Sequence, residues 1–481
     1  MYPYGLIGNA LCSALVSDKG SMDWMCFPRP DSEPVFGRLL DPEGGHFSIE
    51  PAGPYRSSQH YVPNTNILVT HFECEDGSSF RVLDFAPRFV QYGRIYRPLS
   101  FFRIVEPVSG QSMLRVTMKP VQGWNRHAME QSRGNSHLRF TRGSDYMRLA
   151  TNMSLTYLCG EEPVGLREPL YFALTWNAGL EEDLEATSRD FERRTRSYWQ
   201  NWVKHCDVPT RWQAETIRSA LTLKLHCYED TGAILAALTT SLPETHGEPR
   251  NWDYRFCWLR DAYFCVNAFH KLGHFEEMEG FIQFILDLAQ RETKTLRPVY
   301  RLDLGSPLPE LEHLNWKGYE GSQPVRSGNQ AAEHVQNDVY GELILTLTPL
   351  FLDERFAAMR HPGLEELLSR LARRCAETLG QPDAGLWELR EGWRPHSFTH
   401  LMQWAGLERI RRLRAGSKLP LPDLDLEGML AHARKLIDEN VTDGVLRTAH
   451  KDDHLDASLL LAPVLGYPDT KLNRETVEAI R

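Results

Sequence analysis

The sequence predicts a multi-domain β + α protein, an N-terminal β-sandwich followed by a larger helical domain. Three observations lead there. The 481 residues exceed one ordinary domain. Roughly the first 180 alternate apolar and polar positions between Gly, Pro and Asn turns. From there on, apolar residues recur at three- and four-residue spacing instead.

Taken in order, Leu68, Phe72 and Cys74 share one face of an alternating stretch. Asp76-Gly77 supplies a reversal, and Phe80, Val82 and Asp84 alternate on the return. Leu114, Val116 and Met118 repeat the pattern, and Tyr171 to Trp176 does so less cleanly. Many short strands of this kind predict a sandwich over 1–180. Phe191, Thr195, Tyr198 and Trp202 then recur at i, i+4, i+7 and i+11, which predicts a linker helix over 181–206. In the remaining domain, 207–481, Ile217, Leu221 and Leu225 share a helix face. Further helices are expected near 260–273, 276–290, 330–350, 364–379, 397–413, 426–438 and 455–465. Three long loops separate them: Thr239 to Arg260, Thr293 to Gly328 and Gly380 to Pro395. Each carries Trp together with Arg or a carboxylate, and loops of that length in a helical domain are usually functional.

Composition narrows the classes of partner. The net charge is −10 and no Lys/Arg run tracks a phosphate backbone, which argues against nucleic acid. Twelve Trp and seventeen Tyr offer flat, partly polar rings suited to an uncharged, hydroxyl-covered ligand. Nine scattered Cys, never spaced CxxC, read as free thiols in a reducing compartment rather than as a disulfide framework or a zinc site. The run Leu6 to Val16 is interrupted by Asn9 and Ser13 and lacks a preceding Lys or Arg, so no secretion signal is assigned. No apolar segment approaches the ~20 residues that cross a bilayer. The expectation is a soluble, cytoplasmic protein without a membrane partner; the sequence carries no signal of oligomeric state.

Three segments concentrate chemistry. Arg250-Asn-Trp-Asp-Tyr-Arg-Phe-Cys-Trp-Leu-Arg-Asp261 packs two Trp, three Arg and two Asp ahead of a helix. An Arg–Asp pair can donate to and accept from vicinal hydroxyls while Trp stacks on a pyranose face. The alternative is a structural salt bridge with Trp258 in the core. In Gly385-Leu-Trp-Glu-Leu-Arg390 a carboxylate, Glu388, adjoins Trp387. An aromatic wall disfavours the ionised form, which keeps an acid ready to protonate a glycosidic oxygen; the alternative is an exposed, inert Glu. Gly318-Tyr-Glu-Gly-Ser-Gln-Pro-Val-Arg-Ser-Gly-Asn329 leads into a helix with Gln336, Asp338 and Tyr340, and serves either a ligand hydroxyl or loop stability.

In their order these segments resemble glycoside hydrolase family 15, the glucoamylase-like family, in its bacterial two-domain branch that includes trehalases. The N-terminal part of the resemblance lies in Gly5-Leu-Ile-Gly-Asn9, Gly20-Ser-Met-Asp-Trp24, Pro28-Arg-Pro-Asp-Ser32 and Phe36-Gly-Arg-Leu-Leu-Asp41. It continues in Thr239-Thr-Ser-Leu-Pro-Glu244, Asn251-Trp-Asp-Tyr-Arg255, Cys257-Trp-Leu-Arg-Asp261 and Gly318-Tyr-Glu-Gly-Ser322. Pro324-Val-Arg326, Gly328-Asn329, Asp338-Val-Tyr-Gly341, Gly385 to Arg390 and Asp456-Ala-Ser-Leu-Leu460 complete it. The resemblance implies a β-sandwich followed by an (α/α)6 barrel with a pocket for a terminal glucose. It makes Glu388 the general acid and gives Arg260, Asp261 and Trp258 the sugar, with Arg326 and Trp387 in the same pocket. It implies hydrolysis with inversion and neither metal nor organic cofactor. The substrate it implies is an α-linked glucoside, a maltooligosaccharide or starch-like glucan first and α,α-trehalose second. A non-catalytic sugar-binding remnant is the alternative from another class, and a phosphorylase ranks below because no motif points to phosphate.

The resemblance breaks at the end. Members of this branch continue further and place the general base in a late Ser-Glu segment, whereas this sequence ends at Thr476-Val-Glu-Ala-Ile-Arg481. Eight or nine barrel helices are countable where six hairpins are called for. The expectation is an incomplete barrel, without its general base and impaired in hydrolysis.

Overall fold

In the computed structural model, which describes residues 2–180, 183–292, 295–305, 307–360, 362–416 and 424–481, the first part is built from two antiparallel sheets. One runs Tyr4–Gly8, Ser13–Ser17, Ser21–Cys26, His46–Pro51, Met113–Lys119 and Val164–Gly165 in spatial order, with Pro34–Phe36 paired to the third of these. The other runs Glu130–Arg133, His137–Arg142, Asp145–Thr151, Leu170–Trp176, Ser100–Ser109, Ser79–Phe85, Leu68–Cys74 and Tyr55–Tyr61. Apolar side chains of both, among them Ile7, Phe47 and Ile49 from the first and Phe72, Phe80 and Val82 from the second, form the core between them. Leu83 and Phe85 point to the opposite face, into a second apolar cluster with Phe191. A sheet covered on both faces loses clean alternation, which is why Tyr171 to Trp176 reads poorly as a strand. Inside the sandwich Arg103 and Asp84, both wholly buried, pair at 2.7 Å. Arg103 also donates to the carbonyls of Phe47 and Gly20, so the buried cation is satisfied by both sheets.

Short helix α1 (Leu155–Gly160) lies within the sandwich region, and α2 (Leu184–Lys204) follows it. Asp183 caps α2 by accepting from the Ala186 N–H; residues 181 and 182 of the predicted linker helix lie outside the described residues. The helical part continues with α3 (Gln213–His226), α4 (Leu259–Lys271), α5 (Phe275–Arg291), α6 (Asp338–Leu347), α7 (Pro349–Leu352) and α8 (Pro362–Thr378). It ends with α9 (Ser397–Ala415), α10 (Leu426–Asp438), α11 (Leu461–Leu465) and α12 (Thr470–Ile480). One continuous apolar core runs through it. Helix α6 packs on α4, α8 and α9, while α5 covers α4 and α8 and α10 covers α9, the inner-and-outer hairpin arrangement of an (α/α)6 barrel. Helix α6 is buried almost all round, as an inner helix must be. It approaches α9 so closely that a Cβ on Gly341 would lie 2.2 Å from the Met402 carbonyl oxygen.

Two expected helices differ. The one near 330–350 is interrupted: a 3-10 turn covers Gln330–Glu333, and α6 begins only at Asp338. Between them the chain bonds sideways, the Val335 carbonyl accepting from the Ala384 N–H and the Asn337 N–H donating to Asp383, so it cannot close helical turns. The one near 455–465 is a 3-10 turn, Ala457–Leu460, followed by α11. Of the predicted loop from Thr293, residues 293, 294 and 306 lie outside the described residues.

The sandwich braces two of the three long loops. Trp24 donates its indole N–H to the Leu238 carbonyl at 2.8 Å. Arg255, paired with Asp253, reaches across to the carbonyls of Pro30 and Ser32. Trp316 donates to the Trp124 carbonyl, and the Lys317 N–H to Asp41.

Candidate active site

A short strand pair, Cys257–Trp258 with Val299–Tyr300, delivers the chain into α4, so Trp258, Arg260 and Asp261 emerge together at its start. Residues of 236–254 and 329–334 and the loop after α8 converge on the same place. With the start of α4 they enclose a cavity of about 430 Å³, within the range of small-molecule sites. Trp258, Arg260, Asp261, Trp387 and Glu388 line it, together with Glu244, Arg250, Trp252, Tyr254, His334 and Arg390.

Glu388 is placed by a strained turn. Its φ is 55° and that of Gly385 is 66°, both left-handed. The Glu388 N–H donates to the Gly385 carbonyl, and the Leu389 N–H to that of Ala384. Beneath the turn, buried Asp383 accepts from the N–H groups of Asn337 and Gly385 and from the Thr399 hydroxyl. Burial, then the neighbouring Asp338 carboxylate, pushes the Asp383 carboxyl up to about 7. Three donors meet on one oxygen of Glu388: Oε1 accepts from Trp258 Nε1 at 2.6 Å, Gln336 Nε2 at 3.2 Å and Arg260 Nη2 at 3.3 Å. Among the described residues no protein group donates to Oε2, although the side chain lines the cavity.

Arg260 is buried and bridges three partners. Nη1 donates to Gln336 Oε1 at 2.6 Å and to Asp338 Oδ2 at 3.3 Å, and Nη2 reaches Glu388. Burial acts to lower its proton affinity, but the surrounding carboxylates, Asp338 foremost, more than offset it and the guanidinium stays charged. Asp261 is not hydrogen-bonded to Arg260: among the described residues no side chain donates to its carboxylate, which has only its own backbone N–H. Burial raises its carboxyl above the ordinary range, with Arg260 opposing. A half-buried carboxyl without a side-chain donor in a cavity wall is suited to a ligand hydroxyl.

Two expectations need correction. Trp387 is not the wall against which Glu388 rests: it is 58% exposed and donates its indole N–H to Asp456. The turn sends adjacent side chains in different directions, and the indole that touches the acid is Trp258. Arg326 does not line the cavity. Its guanidinium bonds the Pro249 and Asn251 carbonyls and Glu312, and stacks over Trp252, so it stiffens the loop that forms the rim.

Several residues of the wall were missed. His334 is buried with both ring nitrogens unpartnered among the described residues, and Arg390 bonds Glu310 and Gln330 beside the opening. Glu244 has both oxygens taken, by Arg250 and by the Trp252 indole. Glu244, Arg250 and Arg390 stand inside the quoted motifs, so their position was signalled; His334 carries no such signal. No group of three or more His, Cys, Asp or Glu among the described residues is placed to hold a metal ion.

The profile described as Glycosyl hydrolases family 15 matches residues 213–477, and that described as Trehalase-like, N-terminal matches residues 3–154. The chain belongs to glycosyl hydrolases family 15. As a family 15 member it is a glycoside hydrolase. It is 31% identical over 520 aligned residues to the trehalase of Mycolicibacterium smegmatis, covering 99% of this chain and 76% of that one. Trehalase 1 of Sulfolobus acidocaldarius is 30% identical, covering 98% of this chain and 80% of the relative. A solved bacterial glucoamylase complexed with acarbose shares the family 15 fold at a TM-score of 0.63, with 12% identity, over 99% of this chain and 77% of that one. No described helix is long and apolar enough to cross a membrane.

Proposed function

We propose that this chain hydrolyses an α-linked glucoside, α,α-trehalose in particular, with inversion, as a cytoplasmic enzyme, and that Glu388 is its general acid. One observation carries the chemistry: Glu388 is fixed at the cavity wall through Oε1 alone, leaving Oε2 to hold a proton against a glycosidic oxygen. In the step, Oε2–H gives its proton to that oxygen, the C1–O bond breaks, and water attacks C1 from the opposite face as a base takes up its proton. Asp261 accepts from a hydroxyl of the sugar being released, while Trp258, almost wholly buried, acts by holding Glu388 rather than by stacking on the sugar. Arg260, engaged by Gln336, Asp338 and Glu388, keeps acid and sugar in register rather than gripping the sugar by itself.

Trehalose is favoured over the maltooligosaccharide or starch-like glucan that the motifs first suggest. The curated relatives at 26–31% identity are trehalases. The likeness to the glucoamylase, at 12% identity, concerns the fold.

Inversion needs a second carboxylate ~6.5–9.5 Å from the acid to activate water. Glu244 is unsuited because both its oxygens are engaged. Asp261 is assigned to the sugar. Neither of these two carboxylates is therefore proposed as the base.

Glucose release from trehalose, followed by proton NMR, tests this. The expected result is equal initial release of β-glucose and α-glucose, with Glu388→Gln lowering the rate by about 10²-fold or more. Initial release of α-glucose alone would mean retention and overturn the inverting mechanism. Release from maltotriose but not trehalose would replace the substrate, and sugar binding without turnover, unchanged in E388Q, would leave only a binding protein.

A further inference from the structure

Next to Arg260 and outside the lining of the cavity, three buried carboxylate oxygens have no donor among the described residues: Asp338 Oδ1, Glu342 Oε1 and Glu342 Oε2. Both side chains are wholly buried. They stand four residues apart on α6, where side chains are neighbours, and they are within hydrogen-bonding reach of each other. Two ionised carboxylates can only accept, so their contact is repulsive unless a proton lies between them. One cation serves this corner, and it is shared, since Arg260 bonds both Asp338 and Glu388.

The other charges around Glu342 do not relieve it. From α4 come Arg260, Asp261 and Tyr263, of which only Arg260 is positive. The buried titratable groups of α8 and α9 are Cys375, His400 and Glu408, the last paired with Arg411 and Arg412. Burial first, and Asp338 second, hold the Glu342 carboxyl well above the usual carboxylate range, with Arg260 opposing.

We infer that Asp338 and Glu342 share one proton as a neutral acid and a carboxylate, and that this pair divides the positive charge of Arg260 with Glu388 and so sets how firmly Glu388 holds its own proton. The inference rests on the proposed role of Glu388. Asp338 and Glu342 act through Arg260 and are positioning residues. The proton on Glu342 keeps Asp338 ionised by donating to it, and ionised Asp338 draws the guanidinium's charge away from Glu388. Replacing both, Asp338→Asn with Glu342→Gln, removes the pair's negative charge, directs that of the guanidinium to Glu388 and favours its ionised form, so the general acid would lose its proton at lower pH.

Infrared difference spectroscopy across a pH titration reads both halves of this without requiring turnover. At about pH 8.5, above the range in which Asp383 ionises, the wild-type protein should show a neutral-carboxyl stretch that Glu342→Gln removes. E342Q is isosteric and retains a donor toward Asp338, so its folding is expected to survive. Subtracting E388Q spectra isolates the Glu388 titration, whose midpoint should fall by about one pH unit or more in the D338N/E342Q double variant. A spectrum in which E342Q removes no neutral carboxyl overturns the shared proton. A Glu388 midpoint unmoved in folded D338N/E342Q overturns the coupling. Either result stands apart from the trehalose assignment, which these spectra do not touch.

Discussion

Trp258 gives its indole N–H to Glu388 over 2.6 Å, with Gln336 and Arg260 completing the set on the same oxygen. A hydrogen bond to a charged group contributes about 1.5–3 kcal/mol, so Trp258→Phe should lower kcat by roughly 10- to 100-fold with a smaller change in KM, checked by steady-state kinetics on trehalose. Much of this corner was legible. Trp258, Arg260 and Asp261 stand in one motif and Glu388 in another, and both meet at the cavity. What misled was adjacency: Trp387 was assigned to the acid because it precedes it in sequence, but a turn with left-handed residues at 385 and 388 separates the two side chains. Arg326 was drawn into the pocket by motif order alone, although its donors are spent on loop carbonyls and Glu312. Glu342 was invisible because a lone Glu on a helix is usually a solvated one.

At the scale of elements, the turn bearing Glu388 depends on Gly385 and on Asp383 below it. A Cβ at Gly385 would come 2.7 Å from the His396 ring, at a φ of 66°. Gly385→Ala should therefore cost about 1–3 kcal/mol in urea denaturation and lower activity further by displacing Glu388. Asp383 makes a separate, signed prediction. Its folded carboxyl sits at about 7, above the ordinary 3.8. Between those values the folded state holds a proton that the unfolded state has released, so this group's contribution is complete below about pH 4 and is lost as pH rises through 7. Asp383→Asn should flatten the stability–pH curve in that window, by at most about 1.4 kcal/mol per pH unit, as read from denaturation midpoints. Helix positions were largely legible from periodicity. The exception, the interruption before α6, arises because residues 335 and 337 bond to 384 and 383, nearly fifty positions away, and no local pattern encodes that.

Across the whole molecule, the sandwich holds the loops that form the pocket. Arg255, in the loop before α4, is fully buried against Asp253 and reaches the Pro30 and Ser32 carbonyls of the sandwich. Asp253 in turn receives the Gly328 N–H. Arg255→Met would leave Asp253 buried without its cation, a loss of about 3–5 kcal/mol, and should expose the 239–260 loop to protease before the rest of the chain unfolds. The division into strands and then helices was legible from the change of period. The bracing was not, because its partners lie 192 to 276 residues apart.

The central claim, that Glu388 donates the proton to the leaving oxygen, is tested most directly by comparing wild type and Glu388→Gln on α,α-trehalose and on α-glucosyl fluoride, whose leaving group needs no proton. The account predicts a loss of about 10²-fold or more on trehalose and less than about 10-fold on the fluoride. Equal losses on the two substrates, or undiminished trehalose hydrolysis in the variant, would contradict it.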